Sequence, residues 1–290
     1  MEHSNDLIAK IQSMMGEFSK GQKLIARYII ENYDKAAFMT ASKLGSTVGV
    51  SESTVVRFST ELGYDGYPKL QKALQELIRI KLTAVQRIEV TNNRIGDQDI
   101  LRTVMMSDIE KLRLTLEDIK REDFDAVVDA ILGAKKIYIL GVRSSAALTS
   151  FLGFYFNLMF ENVRLVHTTS VSEMFEQILK VTPDDVVIGI SFPRYSSRTV
   201  KALQYAHDRG AKVVAITDSM FSPLVANATH CLIARSDMAS FVDSLVAPLS
   251  VINALIVALG MKKKKETYDT FERLEQIWDE YDVYEKYDEK

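Results

Sequence analysis

The sequence predicts two domains of different class, an all-α domain followed by an α/β domain of three layers built on a parallel sheet. Three observations predict it. Over the first 80 residues, apolar side chains recur at spacings of three and four, the period of an amphipathic helix. Residues 84–98 (AVQRIEVTNNRIGDQ) lose that period and gather Asn, Gly and Asp, as linkers do. Beyond Phe124, short runs rich in Val and Ile alternate with helical segments, the pattern of repeated βαβ units.

In order along the chain, helices are predicted over Leu7–Met15 and Leu24–Ile30, with Ser19-Lys20-Gly21 as the break between them. Thr40–Val48 and Ser51–Leu62 form a second pair joined at Gly49. Gly63, Gly66 and Pro68 interrupt the pattern before a helix from Lys69 to about Leu82. The first domain is therefore placed at 1–82. Residues 83–120 follow as linker and connecting helix, the helix over Asp99–Ile119. The second domain is placed at 121–261. Its strands are Ile137–Leu140, Val163–Val166, Val186–Ile190, Val213–Ile216 and Cys231–Ile233. Ser144–Phe160, Ser172–Leu179 and Thr199–Arg209 are its crossover helices, and the apolar stretch Phe241–Leu259 closes it. Residues 262–290 form a charged tail with a surface helix around Phe271–Tyr281.

Composition narrows the function classes. With 290 residues and 47% hydrophobic content the chain can bury ordinary globular cores. No apolar stretch approaches the ~20 residues that span a bilayer, and the N-terminus has no basic start leading into an apolar run, so no membrane contact and a cytoplasmic location are expected. The single cysteine, Cys231, excludes an internal disulfide and reads as a small buried apolar residue on a strand. His3, His207 and His230 make no metal-ligand spacing with nearby Cys, Asp or Glu, so neither metal nor cofactor is expected. The net charge of −3 argues for no particular partner, but residues 1–80, with 10 Lys and Arg against 9 Asp and Glu, can still present a local basic face.

The segment from Ala41 to Gly63 (ASKLGSTVGVSESTVVRFSTELG) carries the most functional information in the first half. Gly49 stands where a tight turn between packed helices needs a left-handed backbone, Gly45 is small enough for close approach, and Ser51 is a natural N-cap. Val55, Phe58 and Leu62 share the inward face of the second helix, and Ser53, Arg57 and Thr60 fall on the opposite stripe. A short polar stripe with one arginine suits a recognition helix in the major groove of double-stranded DNA. The continuation RFSTELGYDGYPKL over 57–70 resembles the signature that follows the recognition helix in the RpiR/MurR family of regulators. The resemblance extends over the whole chain, because that family joins an all-α helix-turn-helix domain to an α/β three-layer parallel-sheet sugar isomerase (SIS) domain. It implies a transcription regulator in which Lys43, Ser51, Ser53, Thr54 and Arg57 contact operator DNA and Lys69 the backbone beyond. Tyr64 and Tyr67 have two readings, backbone contact or packing of the last helix.

In a parallel sheet, ligands collect at the carboxyl ends of strands, where helix N-termini offer free N–H groups. Two strand ends here are rich in hydroxyls and arginine: Gly141-Val142-Arg143-Ser144-Ser145, and Ser191-Phe192-Pro193-Arg194-Tyr195-Ser196-Ser197-Arg198-Thr199. They are similar to the phosphate loops of SIS domains, whose pattern is Gly-x-Gly-x-Ser, then Ser-x-Ser-Gly-x-Thr. This chain departs from both. Arg143 replaces the second glycine, and Phe192–Tyr195 lengthens the second loop. The resemblance carries over Ser144, Ser191, Ser196 and Thr199, with Ser145 and Ser197 as register alternatives; Gly141 permits close backbone approach, and Arg143 and Arg194 add charge for an anion. It implies a phosphosugar effector, although a carboxylate would satisfy the same arginines.

The alternative is a phosphosugar isomerase with an accessory helical domain, for which Glu173 or His167 would be the base; Glu173 is also a candidate ligand contact. For the regulator, no catalytic residue is expected. Its expected form is a repressor of a carbohydrate operon, acting as a homo-oligomer, dimer or tetramer, because one short recognition helix contacts few base pairs.

Overall fold

In the computed structural model, the described residues are 7–81, 83, 85–88, 99–167, 170–236 and 242–285. They divide into two compact units, 1–97 and 98–290. Most of the stretch read as linker, 84–98, and the Phe241 start of the closing helix lie outside the described residues.

The first unit is all helical: α1 (Leu7–Ser13), α2 (Lys20–Glu31), α3 (Tyr33–Ala36), α4 (Ala41–Val48), α5 (Glu52–Glu61) and α6 (Tyr67–Lys81). The Ser19-Lys20-Gly21 break is in fact the start of α2. The Ser19 hydroxyl accepts from the Gln22 N–H and the Gln22 side chain accepts from the Ser19 N–H, a capping box that holds Gly21 inside the first turn. The short α3 has no repeat long enough to show a period. The inward faces of α2, α4, α5 and α6 meet in a core of Ile25, Ile29, Leu44, Val55, Phe58 and Leu70, all fully buried, and the Phe18 ring packs 5.1 Å from that of Phe58. Burial of side chains of this size contributes roughly 1.5–3 kcal/mol each.

The second unit opens with α7 (Ile100–Asp118) and α8 (Arg121–Leu132). There follow β1 (Ile137–Leu140), α9 (Ser145–Met159), β2 (Val163–Val166), α10 (Val171–Ile178), β3 (Val186–Ile190), α11 (Ser197–Asp208), β4 (Lys212–Thr217) and β5 (His230–Ile233). It ends with α12 (Val246–Lys262) and α13 (Lys264–Glu280). The sheet is parallel throughout, in the order β2-β1-β3-β4-β5, with Leu140 opposite Val166 on one side and Gly189 on the other. Alternation sorts the side chains into two cores. Ile139, Ile188 and Ile190 pack with α8, α9 and α12, while Leu140, Val187 and Val213 pack with α10 and α11.

One element was not foreseen, and three expectations need correction. Residues 121–132, for which no element is predicted from the sequence, are helical, with Val127, Val128 and Ile131 buried at helical spacing. The closing helix begins at Val246, because Pro248 lacks the N–H that a helix interior needs and fits only its first turn. The tail helix begins at Lys264 rather than near Phe271. Cys231 is half-buried, since β5 is an edge strand with a neighbour on one side only.

The helix read as connecting, α7, is packed onto the second unit. The Arg235 N–H donates to Thr115 Oγ1 at 2.8 Å, Ser244 Oγ donates to Asp108 at 2.6 Å, and Arg235 pairs with Asp118. Lys111 is buried and paired with Asp108 at 3.2 Å. Among the described residues, no single helix is long and apolar enough to cross a membrane.

Candidate functional site

In the first unit, local chemistry aims a polar face outward from α5. Thr40 caps α4, and Gly49 ends it at φ 79°, a left-handed conformation that glycine adopts without strain. The chain then turns so tightly that the Val50 N–H donates to the Gly45 carbonyl at 2.9 Å, and a Cβ on Gly45 would lie 2.8 Å from the Val50 oxygen. The Ser51 hydroxyl accepts from the Thr54 N–H at 3.3 Å and sits 2.9 Å from the hydroxyls of Ser53 and Thr54, so three hydroxyls cluster at the positive end of α5. Opposite the buried Val55 and Phe58, the side chains of Ser53, Arg57 and Thr60 are exposed.

Lys43 and Lys69 are exposed on α4 and α6. Tyr64 is half-buried, and burial raises its phenol above the usual value. Tyr67 takes the packing role: it is buried and its hydroxyl donates to the Ala36 and Met39 carbonyls at 3.3 and 2.8 Å, with its phenol pushed up to about 12 by burial. Sequence reasoning missed the start of α2. Ser19, Gly21 and Gln22 border a groove of about 690 Å³ with Thr54, Arg57 and Thr60 of α5, and Gln22 is hydrogen-bonded to Glu61. The signal that could have found it is the Ser-x-x-Gln capping pattern at 19–22.

In the second unit, β1 and β3 lie side by side and their crossovers leave to opposite faces of the sheet, which opens a crevice at their carboxyl ends. Gly141 is required there, because a Cβ would stand 2.8 Å from Thr149 Cγ2 and 2.9 Å from the Ile190 carbonyl; the close approach is to the protein's own chain. The cavity at this point holds about 890 Å³. Of the expected residues, Gly141, Arg143, Arg194, Ser196 and Ser197 line it. The others lie outside its wall. Ser144 is exposed at the start of α9, Ser145 and Thr199 are buried, and Glu173 is exposed on α10. Ser191 is also buried, and its hydroxyl accepts from the Ser196 N–H at 3.1 Å, so it shapes the loop from behind.

Tyr195, Arg198 and His167 complete the polar wall. Of these, Arg198 and Tyr195 were missed. The available signal was that Arg198 directly follows two serines at a helix start. Tyr195 donates to the buried Asp218 carboxylate at 2.8 Å, and Thr217 Oγ1 donates to the Ser191 carbonyl at 2.8 Å, so the end of β4 holds the second loop in place. Arg143 and Arg194 both have left-handed backbones, φ 60° and 67°, which arginine adopts only at a cost. Among the described residues, three arginines line the cavity and neither Asp nor Glu does. Such a wall attracts anions, and His167 stands in it as a titratable imidazole.

Two family models match the chain: the helix-turn-helix domain of the rpiR family over residues 5–79 and the SIS domain over 130–258. Among curated relatives, the HTH-type transcriptional regulator HexR of Pseudomonas aeruginosa is 24% identical, covering 89% of this chain and 90% of its own length. An uncharacterised HTH-type transcriptional regulator of Caldanaerobacter subterraneus is also 24% identical, over 89% and 92%. Among solved structures, the sugar isomerase domain of an RpiR transcription factor from Sphaerobacter thermophilus matches with TM-score 0.58 at 28% identity, over 62% of this chain and 99% of that one. The Vibrio vulnificus NanR protein complexed with ManNAc-6P matches with TM-score 0.58 at 23% identity, over 94% and 97%, a likeness of fold. With an rpiR-type helix-turn-helix ahead of a parallel-sheet SIS domain, and relatives of the same span named as regulators, the chain belongs to the RpiR family of transcriptional regulators.

Proposed function

We propose that this regulator is a repressor of a carbohydrate-metabolism operon, released from its operator when a sugar phosphate or related small anion fills the cavity between Gly141 and Arg198. The observation that carries the reading is the arginine-lined cavity at the carboxyl ends of β1 and β3, on a chain whose other unit presents a hydroxyl-rich helix N-terminus with Arg57. The solved complex of NanR with ManNAc-6P supports a phosphosugar of some kind. On this reading, Lys43, Ser51, Ser53, Thr54, Arg57 and Lys69 face DNA, and the protein acts as a homodimer or tetramer in which paired first units read two half-sites.

The test is binding of the purified protein to its own upstream intergenic DNA, against a scrambled duplex at fixed salt, with sugar phosphates and sugar acids added in turn. Specific binding that one ligand weakens is the expected result. Arg57→Ala should cost about 1–3 kcal/mol if the side chain reads a base, or lower the salt slope by about one if it meets a phosphate. Absence of specific duplex binding would refute the reading.

A second reading, an isomerase, is favoured by His167 in the cavity wall. It predicts turnover of an aldose or ketose phosphate that is lost in His167→Ala.

A further inference from the structure

The chemistry of the cavity wall narrows the class of effector, an inference that rests on the reading of this cavity as the effector site. Arg143, Arg194 and Arg198 all line it, and His167 stands beside them. Among the described residues, none of the three guanidiniums has an ion-pair partner. Guanidinium is permanently charged, so three of them around one volume repel each other until a ligand neutralises them. A single phosphate monoester brings at most two negative charges. It can occupy one end of a cavity of about 890 Å³, a size that takes a whole phosphorylated sugar and not just its phosphate.

The arginines also divide by position. Arg198 lies in the first turn of α11 with Ser196 and Ser197, where the helix presents unbonded N–H groups. Arg143 and Arg194 lie outside any helix, in the loops that leave the adjacent strands β1 and β3, and both have the left-handed backbone that glycine would adopt without strain. A turn that needed only that backbone would be served better by glycine, so the charged side chain at each place must contribute something that offsets the strain.

We propose that the effector carries two separated anionic groups: a phosphate held at the start of α11 by Ser196, Ser197 and Arg198, and a carboxylate held between Arg143 and Arg194. Its class is the phosphorylated sugar acid. The planar guanidinium pairs with carboxylate through two parallel N–H donors, which selects an acid over the neutral aldehyde or alcohol at the same carbon.

The test is titration calorimetry on the full-length protein with a matched set: glucose 6-phosphate, 6-phosphogluconate, gluconate and inorganic phosphate. The pair glycerol 3-phosphate and 3-phosphoglycerate repeats the comparison without sugar stereochemistry. The double anion of each pair is expected to bind at least about tenfold more tightly than the phosphate-only partner, the worth of one charge-assisted pair. Arg194→Gly, which suits the local backbone, should weaken the acid more than its phosphate-only partner and so bring the two within about twofold; Arg198→Gln should weaken both alike. Equal affinity of both partners in the wild-type protein, or an acid preference that survives Arg194→Gly, would overturn the inference while leaving an anion effector intact. Binding of none of the six probes at millimolar concentration would overturn the effector reading and this inference with it.

Discussion

Arg143 has φ 60° at the position where SIS-type loops place glycine, and two substitutions separate what its backbone costs from what its side chain does. A residue with a Cβ in the left-handed region costs about 1–2 kcal/mol relative to the right-handed forms. Glycine removes that strain but gives back roughly 0.5–1 kcal/mol through the greater freedom of the unfolded chain. Arg143→Gly should therefore be as stable as the wild type or more so, whereas Arg143→Ala keeps the strain. The glycine variant is expected to exceed the alanine variant by about 0.5–1 kcal/mol. For a unit of this size that is roughly 1–4 °C in Tm. The assay is urea unfolding of the two full-length variants, comparing the midpoint of the second unit's transition at unchanged slope. Both variants should lose anion affinity together, because both lack the guanidinium. An alanine variant as stable as the glycine variant would refute the reasoning, since it would mean that the loop relaxes at no cost.

Gly45→Ala places a methyl 2.8 Å from the Val50 carbonyl, and should destabilise the first unit by about 1–3 kcal/mol and weaken DNA binding through the displaced α5; circular dichroism melting would show a near-zero effect if the turn can open. Burial raises the Tyr67 phenol from 10.0 to about 12, so the folded protein keeps a proton that the unfolded chain releases. The resulting stability is complete below pH 10 and is lost as pH rises toward 12, by about 2 kcal/mol, and Tyr67→Phe should flatten that slope; an unchanged slope in the variant would assign it elsewhere, for instance to Tyr64. The Cys231 thiol, pushed up to about 11 chiefly by burial, should react with a disulfide reagent at pH 8 on the order of 100-fold more slowly than in urea-unfolded protein, and equal rates would show it to be open to solvent.

The two halves differ in how legible they were. Gly45, Gly49, Ser51 and the Val55–Phe58–Leu62 stripe could be placed from spacing alone, because a turn, a cap and a helix face are each settled within a few residues. The same holds for the strand cores at 137–140, 163–166 and 186–190, which match the observed strands residue for residue. Expectation and structure differ where two local signals compete. Gly21 was read as a breaker although Ser19 and Gln22 cap the helix around it, and Pro248 was set inside a helix whose first turn it occupies.

The sequence by itself determined the type of most elements, the change of pattern beyond Phe124, the hydroxyls at the start of α5 and the two strand ends rich in serine and arginine, because all of these depend on periodicity and on neighbours along the chain. Only the tertiary structure decided which members of those strand ends share a wall. Ser191 and Thr199 face the interior, Arg198, Tyr195 and His167 join the cavity, Glu173 stays outside it, and α7 packs onto the second unit through Arg235 and Ser244. The physical reason is that the direction of a side chain at the end of a strand depends on the backbone of its loop and on the order β2-β1-β3-β4-β5, and that order is set by contacts between residues far apart in the chain.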